Sequence, residues 1–149
     1  MTRILFVCHG NICRSPMAEF ILKDMAKKEG IENELFIASC ATSTEELGNP
    51  VYPPAQRELK KHNISCEGKF SVQLRYDDYE KYDLIIAMDS YNIRNIKRII
   101  PEDPDGKIKK LMDYTERGGD VADPWYTGNF DNTYREIYYA CGELIKTIK

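Results

Sequence analysis

Arg3-Ile4-Leu5-Phe6-Val7-Cys8-His9-Gly10-Asn11-Ile12-Cys13-Arg14-Ser15-Pro16-Met17 is the stretch on which the reading of this chain turns. Arg3 to Cys8 is a short apolar run rich in β-formers that stops at His9-Gly10-Asn11, the pattern of a buried strand entering a turn. Ser15 then suits a helix N-cap and Pro16 the first helical position. Met17, Ala18, Ile21, Leu22 and Met25 follow at spacings of three and four. A strand, a tight loop and a helix in that order open an α/β unit.

The rest of the chain continues the alternation. Glu34 to Ala41 reads as a second strand, Thr42 to Pro50 as a polar loop, and Pro53 to about His62 as a helix. Asp83 to Met88 reads as a third strand, Ser90 to Ile99 as a helix closed by Pro101, and Ile108 to Met112 as a fourth strand. Asp113 to Asn129 reads as one long loop, of a length that usually carries function. A last helix places Tyr134, Ile137, Tyr138, Cys141, Leu144, Ile145 and Ile148 on one stripe. Right-handed crossovers then predict an α/β fold, a single three-layer domain over residues 1–149 with a four-stranded parallel sheet and helices on both faces. Ligands of such sheets bind at the carboxyl ends of the strands.

Composition narrows the function. A chain of 149 residues, 42% hydrophobic and 30% charged, is long enough for one real core and too apolar for a disordered polymer. The net charge of −3 supplies no global basic field for nucleic acid or an anionic membrane, so any anion site must be built locally. No apolar run approaches the roughly 18 residues of a membrane span, and Ile4 to Cys8 is too short for a signal peptide. The expected location is the cytoplasm. Cys8, Cys13, Cys40, Cys66 and Cys141 are an odd set without close zinc-type pairs, which argues against a disulfide scaffold and against a structural metal. Reduced thiols are the expectation, one of them reactive.

That thiol is Cys8. It leaves a buried strand and enters a loop ending at a helix N-terminus, where successive backbone N–H groups and the helix dipole form a nest for a tetrahedral oxyanion. Gly10 permits unusual dihedrals, Asn11 tolerates positive φ, and Arg14 adds a bidentate fork for two phosphate oxygens. The same positive surroundings favour thiolate at Cys8, a nucleophile aimed at phosphorus. An isolated cysteine at a strand end is usually inert core; here the neighbouring glycine, asparagine, arginine and Ser-Pro reverse that reading.

Val7-Cys8-His9-Gly10-Asn11-Ile12-Cys13-Arg14-Ser15-Pro16 resembles the signature of the low-molecular-weight protein tyrosine phosphatases. The likeness extends through Ser39, Met88-Asp89-x-x-Asn92, Asp123-Pro124 and the overall length. The resemblance implies hydrolysis of phosphotyrosine monoesters through a cysteinyl-phosphate intermediate, with no metal and no cofactor. It makes phosphotyrosine proteins the partners and inorganic phosphate or vanadate the simple ligands, with a monomer sufficient. Cys8 would be the nucleophile, Arg14 the phosphate binder and Asp123 the general acid and then base. Pro124 restricts Asp123 to extended backbone, which helps aim its carboxyl group.

The same resemblance places His9, Gly10, Asn11, Ile12, Cys13 and Ser15 around the phosphate. It has Ser15 bond the nucleophile, a role that stands beside capping, and has Asn11, Ser39 and Asn92 support the loop. Trp125 and Tyr126 are expected to flank the phosphotyrosyl ring, although Trp125 covering the last helix is the plainer alternative. Glu45 and Glu46 stand where the family varies and an aromatic is common; two acids there would disfavour acidic peptides. His9 is expected at the rim. Gly68, Ser71 and Val72 replace a frequent histidine and Ala-Arg pair, which puts the network around Asn11 in question. The family also uses a pair like Cys8 and Cys13 as a reversible protective disulfide.

Three other functions share features with this sequence. Arsenate reductases share the loop, but their relay needs further cysteines after the third strand, and Ile86 to Asn92 has none. Protein arginine phosphatases of this fold carry threonine where Ile12 stands, and isoleucine crowds a guanidinium. A non-catalytic phosphate-binding module would not require Cys8 and Asp123.

Overall fold

The computed structural model describes residues 1–149. Strands β1 (Thr2–Cys8), β2 (Leu35–Ala41), β3 (Leu84–Ala87) and β4 (Ile108–Lys110) form one sheet in the order β2-β1-β3-β4, all neighbours parallel. The helices are α1 (Arg14–Lys28), α2 (Pro53–Lys60), α3 (Asp78–Lys81), α4 (Ser90–Ile99), α5 (Pro124–Thr127) and α6 (Phe130–Lys146).

Alternation along β1 explains the two-sided core. Ile4, Phe6 and Cys8 point into the larger cluster, which Met17, Ile21 and Leu22 of α1 and Ile137, Cys141 and Leu144 of α6 fill. Leu5 and Val7 point into a smaller cluster with Ile96 and Ile100 from the α4 side. Burial of a side chain such as Phe6 or Leu22 contributes about 1.5–3 kcal/mol, so this central strand is held from both faces. The chain passes from β1 to β2 on one side and reaches β3 on the other. The carboxyl end of β1 therefore lies at the point where strand order reverses, and Cys8 is its last residue.

Several local expectations are corrected. Helix α1 begins at Arg14 with Cys13 as N-cap and no side-chain cap, so Ser15 does not cap it; its hydroxyl is engaged elsewhere. The predicted fourth strand stops at Lys110, and Leu111–Tyr114 turns as a 3₁₀ helix that buries Leu111 and Met112. The loop read from Asp113 to Asn129 contains α5, capped by Asp123 and ended by Gly128 at φ 71°. Tyr138 is half exposed, off the buried stripe of α6. His62 stacks on Tyr134 at 3.7 Å and pairs with Glu58 at 3.2 Å, a packing role. No helix is long and apolar enough to cross a membrane.

Candidate active site

The loop between β1 and α1 curls around the Cys8 sulfur. Asn11 takes φ 58°, a left-handed conformation that its short amide side chain tolerates, and this turns its backbone N–H onto Cys8 Sγ at 3.3 Å. Ser15 Oγ lies 3.0 Å from the same sulfur. Gly10 does not use positive φ. Its part is close approach, since a Cβ there would meet Glu46 Cγ at 3.3 Å.

Asn11 and Ser15 are fully buried behind the loop and do not touch the pocket. Asn11 Nδ2 donates to Ser15 Oγ at 2.8 Å and to Ser39 Oγ at 2.9 Å, and its Oδ1 accepts from the Val72 N–H at 3.2 Å. Ser71 Oγ donates to the Gly10 carbonyl at 2.8 Å. The loss of the frequent histidine at Gly68 thus leaves the asparagine amide satisfied on every side. Ser39 in turn donates to Glu19 Oε1 at 2.6 Å, and Glu19 Oε2 accepts from Lys23 at 2.6 Å. Lys69 donates to the Ser39 carbonyl at 2.8 Å with its ammonium 3.9 Å from Glu19. Burial lowers the Lys69 pKa, the direction expected for an ammonium drawn out of water.

Arg14 is buried and held from three sides. Nη1 donates to Asp89 Oδ2 at 2.7 Å and to the Val121 carbonyl at 2.8 Å, and Nη2 reaches Asp123 Oδ2 at 3.4 Å. Burial works to lower its pKa, but Cys8, Asp123 and Asp89 together outweigh that and raise it, so the guanidinium stays charged. Asp89 is itself oriented by a capping box. Its Oδ1 accepts from the Asn92 N–H at 2.8 Å, and Asn92 Oδ1 accepts from the N–H groups of Met88 and Asp89.

Asp123 sits on extended backbone before Pro124, with Oδ1 accepting from the Trp125 N–H at 3.0 Å. The preceding segment is tied to the end of β3 by Val121 N–H donating to the Met88 carbonyl at 2.9 Å. These bonds bring the late aspartate over the first loop. Cys8, Arg14 and Asp123 line one pocket of about 230 Å³. Gly10, Ile12 and Cys13 complete its floor, and His9, Glu45, Glu46, Trp125 and Tyr126 form its rim. Trp125 does not cover the last helix. It is half exposed and leans on Tyr52, with ring centroids 4.9 Å apart, while Phe130 backs Tyr52 at 6.0 Å. Tyr126 is exposed at the mouth, and His9 Nε2 pairs with Glu45 at 3.0 Å on the rim.

All five cysteines are free thiols. Burial raises the pKa of Cys13, with Cys8 nearby adding to the rise, and burial also raises those of Cys40 and Cys141. These three are therefore neutral at pH 7.

Reading the residues missed Glu19, Lys69 and Tyr52, and left Asp89 without its part as the partner of Arg14. Glu19 with Lys23 has the spacing of a solvent-facing helix pair, and nothing local marks it as buried. The Asp89-x-x-Asn92 capping box was the one available signal, and it explains only half of what Asp89 does.

Comparison with known proteins agrees with the geometry. The family model described as low molecular weight phosphotyrosine protein phosphatase matches residues 3–149. The low molecular weight protein-tyrosine-phosphatase YfkJ of Bacillus subtilis is 39% identical over 151 aligned positions, covering 100% of this chain and 97% of the relative. PtpA of Staphylococcus aureus, of the same description, is 39% identical over 99% of this chain and 94% of its own. The crystal structure of YfkJ superposes with a TM-score of 0.96 over 99% of this chain and 94% of that one. That of SP-PTP from Streptococcus pyogenes, 37% identical, superposes with a TM-score of 0.90 over 100% of this chain and 94% of its own. With a four-stranded parallel sheet and a cysteine loop at its switch point, this chain belongs to the low molecular weight phosphotyrosine protein phosphatase family.

Proposed function

We propose that this protein is a phosphatase that hydrolyses phosphotyrosine monoesters in two steps through Cys8, without a metal or other cofactor, and that residues 1–149 form one catalytic domain. The observation that carries the reading is the Cys8 sulfur, held by the Asn11 N–H and Ser15 hydroxyl and facing the same pocket as Arg14 and Asp123.

In the first step the Cys8 thiolate attacks phosphorus and the phosphorus–oxygen bond to the tyrosyl ring breaks. Asp123, protonated, gives its proton to the departing oxygen, which is a poor leaving group as an anion. In the second step the Asp123 carboxylate takes a proton from water, the water oxygen attacks phosphorus, and the sulfur–phosphorus bond breaks to give inorganic phosphate and the thiolate. Arg14 and the loop N–H groups hold the equatorial oxygens through both steps. Asp89 and the Val121 carbonyl keep the guanidinium in place before substrate arrives, so little reorganisation is needed.

Ser15 donates to the thiolate, and Asn11 orients Ser15. Gly10, Ile12 and Cys13 shape the floor, while Trp125 and Tyr126 flank the ring and His9 with Glu45 bounds the rim. Every group comes from one chain, so a monomer suffices. A nucleophile that must stay reduced fits the cytoplasm. The natural partners are phosphotyrosine proteins, with inorganic phosphate and vanadate as simple ligands of the loop.

The test is hydrolysis of p-nitrophenyl phosphate in excess chelator by the wild-type chain and by Cys8→Ser. Turnover that survives chelation and vanishes in the variant is expected. Metal-dependent turnover, or turnover kept by Cys8→Ser, would overturn the reading.

A further inference from the structure

A second cleft, of about 680 Å³, opens beside the pocket. It shares His9, Arg14, Asp123 and Tyr126 with the pocket, so the two form one continuous depression. Its far wall is α4, which presents Tyr91, Arg94, Asn95 and Arg98. Arg94 and Arg98 are four residues apart and therefore neighbours on one helix face. Arg94 is exposed and lies over the Tyr91 ring, 4.4 Å from its centroid, which steadies the guanidinium.

The charges of this cleft do not cancel. Its two acids, Asp89 and Asp123, are both engaged by Arg14. The arginine ion pairs of the chain belong to Arg14, Arg75, Arg117 and Arg135, and neither Arg94 nor Arg98 has one. Glu46 and the His9-paired Glu45 line the pocket but not the cleft. The depression is thus polarised, with guanidinium groups free of ion pairs in the α4 cleft and the Glu45 and Glu46 carboxylates confined to the pocket. A phosphotyrosine seated on the loop carries its own peptide past Tyr126, which lines both the pocket and the cleft.

We propose that the α4 cleft is a subsite for an acidic side chain of the substrate, an aspartate or glutamate flanking the phosphotyrosine, bound by Arg94 and Arg98. The inference deepens the phosphatase reading and rests on it. A guanidinium fork matches a carboxylate bidentately, and here two forks stand without partners beside the reacting centre. Glu45 and Glu46 repel the same side chain from the pocket, so the two sets of charges together give the bound peptide a polarity.

The test scans glutamate and its lysine replacement through the positions on either side of phosphotyrosine in an otherwise neutral peptide, reading kcat/KM. On one side of the phosphotyrosine, glutamate should be favoured over lysine by about five- to tenfold, the scale of two exposed ion pairs. Added salt should erode the preference. Arg94→Gln with Arg98→Gln should abolish it, and Arg94→Glu with Arg98→Glu should reverse it at the same position. Equal rates for the two peptides in the wild-type chain, or a preference that survives the double reversal, would overturn the subsite. Hydrolysis of p-nitrophenyl phosphate by the same wild-type preparation separates the two levels. If it proceeds without any charge preference, the subsite alone fails. If neither it nor any peptide is hydrolysed, the phosphatase reading fails and takes the subsite with it.

Discussion

Asn11 carries both the backbone turn that aims an N–H at Cys8 and the amide that ties the loop to β2, and two substitutions separate these parts. Asn11→Ala removes three hydrogen bonds, those to Ser15 and Ser39 and that from Val72. It also puts a Cβ without a local amide at φ 58°. At about 0.5–1.5 kcal/mol per bond the first loss comes to roughly 3 kcal/mol. The left-handed backbone adds about 1 kcal/mol for alanine. Asn11→Gly loses the same bonds but accepts that φ without strain, so it should be the more stable of the two by about 1 kcal/mol. Urea unfolding monitored by the Trp125 fluorescence and by circular dichroism measures both, with equal slopes required for the comparison. Turnover should fall in both variants through kcat, because Ser15 loses the donor that orients it. Glycine no more stable than alanine would show that the loop does not hold the left-handed turn. Losses below about 1 kcal/mol in both would show that the buried amide network contributes little.

Asp123→Asn should lower kcat by about two to four orders of magnitude on phosphotyrosine, and less on p-nitrophenyl phosphate, whose leaving group needs no proton; equal losses on the two would remove Asp123 as the acid. Burial raises the Cys13, Cys40, Cys66 and Cys141 thiols, so all four stay neutral and unreactive below their raised values, and iodoacetate at neutral pH should label Cys8 alone, with phosphate protecting it. Peptide mapping that finds Cys13 labelled first would refute this. Peroxide should inactivate the protein reversibly through a bond between Cys8 and Cys13, and Cys13→Ser should lose recovery by thiol; unchanged recovery would dismiss the pairing.

What was legible in the chain is local, and what was hidden is contact between distant segments. The run Arg3 to Cys8 announces a strand buried on both faces because every residue after Arg3 is apolar, and the parallel sheet follows from alternation with helices. The overextended fourth strand has the same cause. Leu111 and Met112 are apolar because they are buried, and composition does not tell a strand from the 3₁₀ turn that buries them. Helix α5 is too short for any periodicity to register. Cys8, Arg14 and Ser15 stand in one loop and are read together. Asp123 was placed only through the resemblance, since an Asp-Pro by itself marks a turn. Ser15 carried two local readings, and the fold chose between them by burying its hydroxyl against sulfur. Glu19 and Lys69 come from α1 and from the segment after α2, and their meeting at Ser39 depends on how that segment crosses the edge of β2.

The central claim is a covalent phosphoryl group on the Cys8 sulfur. Acid quenching of the protein during turnover of p-nitrophenyl phosphate, followed by peptide mass spectrometry, looks for it directly. One phosphoryl group on the peptide that contains Cys8, absent from Cys8→Ser, is the result expected. Phosphorylation at His9 instead, or steady turnover by a Cys8→Ser chain that carries no phosphoryl group at all, would contradict the account.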